Sequence, residues 1–127
     1  RGKRPMMGRV GERFSDYMWV TSDNPRTENP ASIAKDIEKG ITGEAYRVEL
    51  DRRSAIETAI HEAGKGDVVL IAGKGHEATQ VFSDKVVPFD DREVVREVLL
   101  RRCRVSDTVV DGAASKKEEM PTGSSFV

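Results

Sequence analysis

Two short stretches hold the residues best suited to chemistry: Asp23-Asn24-Pro25-Arg26 and Gly73-Lys74-Gly75-His76-Glu77. A guanidinium such as that of Arg26 grips a carboxylate through two parallel hydrogen bonds. Asp23 and Asn24 carry oxygens that accept from an ammonium, and Pro25 stiffens the bend that holds them. A ligand that is ammonium and carboxylate at once, an amino acid, therefore matches the first stretch. In the second, Gly73 and Gly75 let the backbone approach a ligand closely, and Glu77 can pair with an ammonium. Lys74 and His76 are accessory candidates, one for a carboxylate or phosphate and the other as a hydrogen-bond donor. The competing account is a plain turn with a solvated Arg26 and a structural His76, and the tetrapeptide's chemistry alone leaves both open.

Other chemistries find little support. Gly73–Glu77 is neither a Walker A loop nor Gly-x-Gly-x-x-Gly, so a nucleotide-phosphate cradle is not expected there. Cys103 is the single cysteine; it has no intrachain disulfide partner and no evident general base. No Cys/His cluster has zinc spacing, so no metal site is expected. No side chain is expected to act as a proton-transfer catalyst. His61, Arg92, Glu93 and the run Arg101-Arg102-Cys103-Arg104 read as ordinary surface groups, the last as a solvated helix end. The 127 residues carry 21 Lys plus Arg against 22 Asp plus Glu. That balance argues against a general nucleic-acid or membrane binder. No run approaches the length of a membrane span and no signal peptide is apparent, so a reducing, cytoplasmic setting is expected.

The elements that must position the two stretches follow from periodicity. Met6, Met7, Val10 and Phe14 are spaced to share one face of a short helix from Pro5. Tyr17 to Thr21 is a β-prone run that cannot pass Pro25. Asn29 caps a helix with Pro30 in its first turn, and Gly40 stops it. Tyr46 to Leu50 alternates as a half-buried strand does. Asp51 caps a helix with Ile56, Ala59, Ile60 and Ala63 on one face. Val68 to Ala72 is a continuous aliphatic run, expected to be a central strand covered on both faces. Thr79–Phe82 and Val86–Phe89 form a hairpin, and Asp90 or Asp91 caps a last helix containing Val94, Val95, Val98 and Leu99. The fold class predicted is α/β: a Rossmann-like open, mostly parallel sheet flanked by helices, with a C-terminal β-hairpin. Residues 1–104 form the domain; 105–127 are rich in Gly, Ser, Lys and Glu and are expected to be a disordered tail. In such a sheet ligands bind beyond the carboxyl ends of the strands, where both stretches fall.

Four segments in this order, Arg1 to Met7, Thr21 to Arg26, Gly73 to Glu77 and Asp90 to Glu93, resemble the C-terminal domain of MurE-type Mur ligases. These are UDP-N-acetylmuramoyl-L-alanyl-D-glutamate:meso-diaminopimelate ligases of peptidoglycan synthesis, and the resemblance runs from Arg1 to about Arg102. It implies an ATP- and Mg2+-dependent enzyme that makes an acyl phosphate, which the amine of meso-diaminopimelate attacks. ATP, Mg2+ and UDP-MurNAc-L-Ala-D-Glu would bind in other domains. Asp23, Asn24, Pro25 and Arg26, with Gly73 and Glu77, would hold the distal end of diaminopimelate, Arg26 taking its carboxylate. Lysine lacks that carboxylate, so a buried, unpaired Arg26 would penalise it. The resemblance also implies that the domain's first strand and a ligand-binding arginine are missing before Arg1. An excised fragment, inactive alone and of marginal stability, is expected. The alternatives are a lysine-adding ligase, or a MurE-like subunit of a plastid transcription complex in a plant.

Overall fold

The computed structural model describes residues 2–108 and 124–127. Helix α1 spans Arg4–Phe14, strand β1 Tyr17–Val20, α2 Pro30–Glu38, β2 Tyr46–Val48, α3 Arg52–Glu62 and β3 Val68–Leu70. Strands β4 (Thr79–Val81) and β5 (Val86–Pro88) follow, then α4 (Asp91–Thr108) and β6 (Ser124–Phe126).

Among the described residues four parallel strands make the main sheet in the order β2-β1-β6-β3, and β4 and β5 pair as an antiparallel hairpin beside it. The chain steps from β1 outward to β2, then returns across β1 to β3. That reversal is the switch point at which open α/β sheets bind ligands, and the loops leaving β1 and β3 flank it. The Rossmann-like fold class agrees with the architecture.

Alternation along β1 divides the core. Met18 and Val20 pack with Ala34, Ile37 and Ile41 under α1 and α2. Trp19 packs with Ala55, Ile56, Ala59, Ile60, Val94 and Val98 under α3 and α4. Local signals explain the helix starts: Asn29 Oδ1 accepts from Ala31 N at 2.8 Å, and Asp51 Oδ1 from Ser54 N at 3.2 Å. At α4, Asp90 is the residue that caps, accepting from Arg92 N at 2.9 Å.

Several expectations change. The Met6, Met7, Val10 and Phe14 face of α1 is exposed, and α1 buries Gly8 and Gly11 instead. A Cβ on Gly8 would lie 2.1 Å from the Ile37 carbonyl oxygen, so α1 meets the end of α2 backbone to backbone, leaving the large side chains outside. Among the described residues strand β3 is an edge strand rather than a central one covered on both faces, with Val68 65% and Leu70 56% exposed. Its aliphatic run reflects β propensity as well as burial. In α4, Val94 and Val98 are buried in the Trp19 cluster with Val95 packed against it, while Leu99 is 45% exposed. Arg102 is not merely solvated: it donates to Ile60 O at 2.6 Å and Ala63 O at 2.8 Å, closing the end of α3.

The largest change concerns the chain's last residues. In place of a disordered stretch from 105 onward, α4 continues to Thr108 and Ser124–Phe126 forms β6; residues 109–123 of the expected tail lie outside the described ones. Strand β6 pairs in parallel with both β1 and β3 and so fills the slot between them. Val127 N donates to Leu70 O at 2.7 Å, Ala72 N to Val127 O at 2.9 Å, and the Val127 side chain joins the core beside Trp19.

Candidate functional site

The loops leaving β1 and β3 meet. Asn24 Nδ2 donates to Glu77 Oε2 at 2.6 Å, and Asn24 Oδ1 accepts from Val81 N at 3.0 Å, so one amide ties the first loop to the second and to the hairpin. Arg26 N donates to Val81 O at 2.9 Å, continuing the junction. Pro25 is buried against this seam. Beneath it opens a cleft of about 340 Å³ whose lining includes Thr21, Asp23, Asn24, Pro25, Gly73 and Arg52.

Arg26 stands exposed, and among the described residues no side-chain hydrogen bond or ion pair occupies its guanidinium. Its φ is 55°, a left-handed backbone that a non-glycine residue adopts at a cost of about 1 kcal/mol or more. The sharp bend this produces lets its N–H reach the hairpin. Gly73 has φ 109°, which glycine alone takes readily, and the nearest heavy atom to a Cβ there would be Asp23 Oδ2 at 3.9 Å. Gly73 therefore belongs to the turn geometry as well as to close approach.

Asp23 supplies the least satisfied polar group. Its Oδ1 is buried without a hydrogen bond, as is Thr21 Oγ1. Lys74 Nζ lies 3.8 Å from that Oδ1 and 3.8 Å from Glu77 Oε2, distances of Coulombic attraction rather than hydrogen bonding. Lys74 itself turns inward, with its side chain fully buried and its Nζ donating to Thr79 O. Its charge offsets those of Asp23 and Glu77 and keeps two carboxylates near one another. His76 is exposed at the tip of the second loop.

One residue of the cleft lining, Arg52, is not among those the sequence singles out. Arg52, in the first turn of α3, donates from Nε to Asp91 Oδ1 at 2.8 Å and from Nη2 to Asp91 Oδ2 at 2.7 Å. It also reaches Ala72 O at 3.0 Å and Ser22 O at 3.4 Å, and Gln80 Nε2 reaches the same Ser22 O at 3.4 Å. Arg52, Gln80 and Asp91 are all buried. A signal was available: a cation in a helix's first turn opposes the helix dipole, a local conflict that points to a tertiary partner.

The surrounding charges are ordinary ion pairs. Arg4 binds Glu28 at 2.8 Å and Asp36 at 3.2 Å, and the Glu28 hydrogen bond holds the Arg4 guanidinium above its ordinary pKa. Arg92 binds Asp90 at 3.0 Å, and its hydrogen bond holds the Asp90 carboxyl below its ordinary range. Among the described residues no group of three or more His, Cys, Asp or Glu side chains is placed to hold a metal, and no helix is long and apolar enough to cross a membrane.

Known proteins share this framework. Residues 1–75 match the family model described as Mur ligase, glutamate ligase domain. A UDP-N-acetylmuramoyl-L-alanyl-D-glutamate--2,6-diaminopimelate ligase of Nitrosomonas europaea is 54% identical over 99 residues, 78% of this chain and 19% of that protein. The protein of the same name from Prochlorococcus marinus is 54% identical over 106 residues, 83% of this chain and 21% of its own. A solved structure of an enzyme with that name superposes with a TM-score of 0.76 at 39% identity, covering 80% of this chain and 21% of the other. The chain thus spans about a fifth of the length of these relatives. By the family match, the shared fold and the identities alike, the chain belongs to the Mur ligase family, as a fragment of its C-terminal, glutamate ligase domain.

Proposed function

We propose that this chain is the amino-acid-recognising part of an ATP-dependent ligase that adds meso-diaminopimelate to UDP-MurNAc-L-Ala-D-Glu. The observation that carries it is the 2.6 Å contact of Asn24 with Glu77, which joins the two loops whose groups suit a twin-headed amino acid. Arg26 offers a guanidinium with no competing side-chain partner among the described residues, suited to the distal carboxylate. Asp23 and Glu77 bring carboxylates that are each about half exposed, 45% and 52%, and both can accept from the distal ammonium. Gly73 leaves room at the cleft wall, and Lys74 serves as counter-ion between the two acids. The named relatives are 2,6-diaminopimelate ligases, which agrees with this substrate.

In this reading the chain contributes proximity, not proton transfer. Holding the far end of diaminopimelate leaves its other amine free to attack an acyl phosphate made with ATP and Mg2+ on segments outside these residues. Discrimination against lysine follows from the second carboxylate. Because Arg26 is exposed rather than buried, lysine forgoes a charge-assisted bidentate bond instead of stranding a buried charge, and the expected preference is on the order of tenfold to a hundredfold. Titration calorimetry of meso-diaminopimelate and of L-lysine, on the chain and on the longer ligase containing it, tests the proposal. Preference for diaminopimelate that vanishes in Arg26→Ala is the expected result; equal affinity for both amino acids overturns it.

A further inference from the structure

We infer that Arg52 is a positioning residue for the amino-acid site, setting the separation of its two loops by holding the backbone carbonyls at both their bases. This rests on the reading of residues 23–26 and 73–77 as that site. Ser22 is the residue immediately before Asp23, and Ala72 the one immediately before Gly73. Strands β1 and β3 end at Val20 and Leu70, so both carbonyls lie where the chain is leaving the sheet. Arg52 supplies donors to both, Nη1 to Ser22 O and Nη2 to Ala72 O. The gap between the loop bases is therefore spanned by a single planar guanidinium.

That guanidinium cannot swing. Asp91 takes its Nε and Nη2 side-on, and the Arg52 side chain is 2% exposed. Asp91 is the first residue of α4, so the brace also anchors that helix to the site. Gln80, in β4, donates to the same Ser22 carbonyl and draws the hairpin into the arrangement. A lysine would keep the charge opposite Asp91 but has one nitrogen where the fork has three, so it cannot reach two carbonyls and a carboxylate in fixed directions. The loops above carry the ligand-facing groups of Asp23, Arg26 and Glu77. Their spacing thus depends on a side chain whose donors are taken by Asp91 and the two loop-base carbonyls.

Two variants separate positioning from stability. Arg52→Lys keeps a cation against Asp91; the double variant Arg52→Met/Asp91→Leu replaces the buried pair with apolar groups, a change that often leaves stability intact. Unfolding by urea, hydrogen exchange at the Arg26 and Val81 amides, and meso-diaminopimelate affinity are measured on each. Both variants should stay folded, exchange those amides about tenfold faster, and bind diaminopimelate about tenfold more weakly, the loss expected for one or two hydrogen bonds. If either folded variant keeps wild-type exchange and wild-type affinity, the inference is overturned. Should the wild-type chain take up no diaminopimelate, the proposed function fails at that point. Exchange at the two amides then still decides whether Arg52 holds the loops.

Discussion

Asn24 and Glu77 are 53 positions apart and meet through a hydrogen bond of 2.6 Å, while the other end of the same Asn24 amide accepts from Val81 N. An asparagine can do both because its amide has a donor and an acceptor side. Neither aspartate nor leucine can.

Replacing Asn24 by Ala should lower unfolding free energy by about 1 kcal/mol, since the bonds lost are near solvent and water replaces them in part. Asn24→Asp should weaken diaminopimelate binding further than Asn24→Ala, by placing a like charge against Glu77. Urea unfolding and calorimetry on both variants check the order, and an Asn24→Asp chain that binds as tightly as wild type contradicts it.

Arg26 separates conformation from recognition. With φ at 55°, Arg26→Gly should leave the protein more stable than Arg26→Ala by roughly 1 kcal/mol. Both should lose the preference for diaminopimelate over lysine, because neither supplies a guanidinium. Paired melting and binding curves for the two variants test this. Equal stabilities would argue against a left-handed residue in solution.

Val127 probes the slot between β1 and β3. It is buried in the Trp19 cluster, so Val127→Ala should cost about 2 kcal/mol and Val127→Asp about 3 kcal/mol or more. Chemical denaturation at matched conditions gives the differences. A neutral Val127→Asp would mean that β6 does not occupy the slot.

Glu12 should give the acid limb of stability a recognisable component. Its carboxylate accepts from the Thr42 and Gly43 backbone N–H groups, and those bonds, Thr42's first, hold its pKa below the ordinary glutamate value. A depressed folded-state pKa contributes stability above the unfolded-state pKa and loses it as pH falls through the folded-state value. Wild type should therefore melt above Glu12→Gln at neutral pH, with the gap closing as the solution is acidified through the carboxylate range. A gap unchanged by acid would remove Glu12 from that role.

Much of the molecule was legible in its residues because the signals are local. Asn29 and Asp51 cap the helices they were expected to cap, and Ile56, Ala59 and Ile60 face the core as their spacing requires. The two candidate loops fall after β1 and β3, where an open α/β sheet binds its ligands. Local reasoning failed where a pattern had two physical causes. The aliphatic run at Val68 reads alike for a central strand and an edge one, and the apolar face of α1 lost its place to Gly8, whose missing side chain allows a closer contact than Met6 or Met7 could make.

The sequence by itself determined the elements, their caps and the chemistry of the residues at 23–26 and 73–77, because propensity and charge belong to neighbours along the chain. Only the tertiary structure decided that Asn24 closes on Glu77, that Lys74 turns inward between two acids, that Arg52 braces Ser22 to Ala72, and that Ser124–Phe126 lies between β1 and β3. Each of those is a pairing of groups far apart in sequence, and which distant groups pair depends on the whole packed sheet rather than on any period or spacing within one segment.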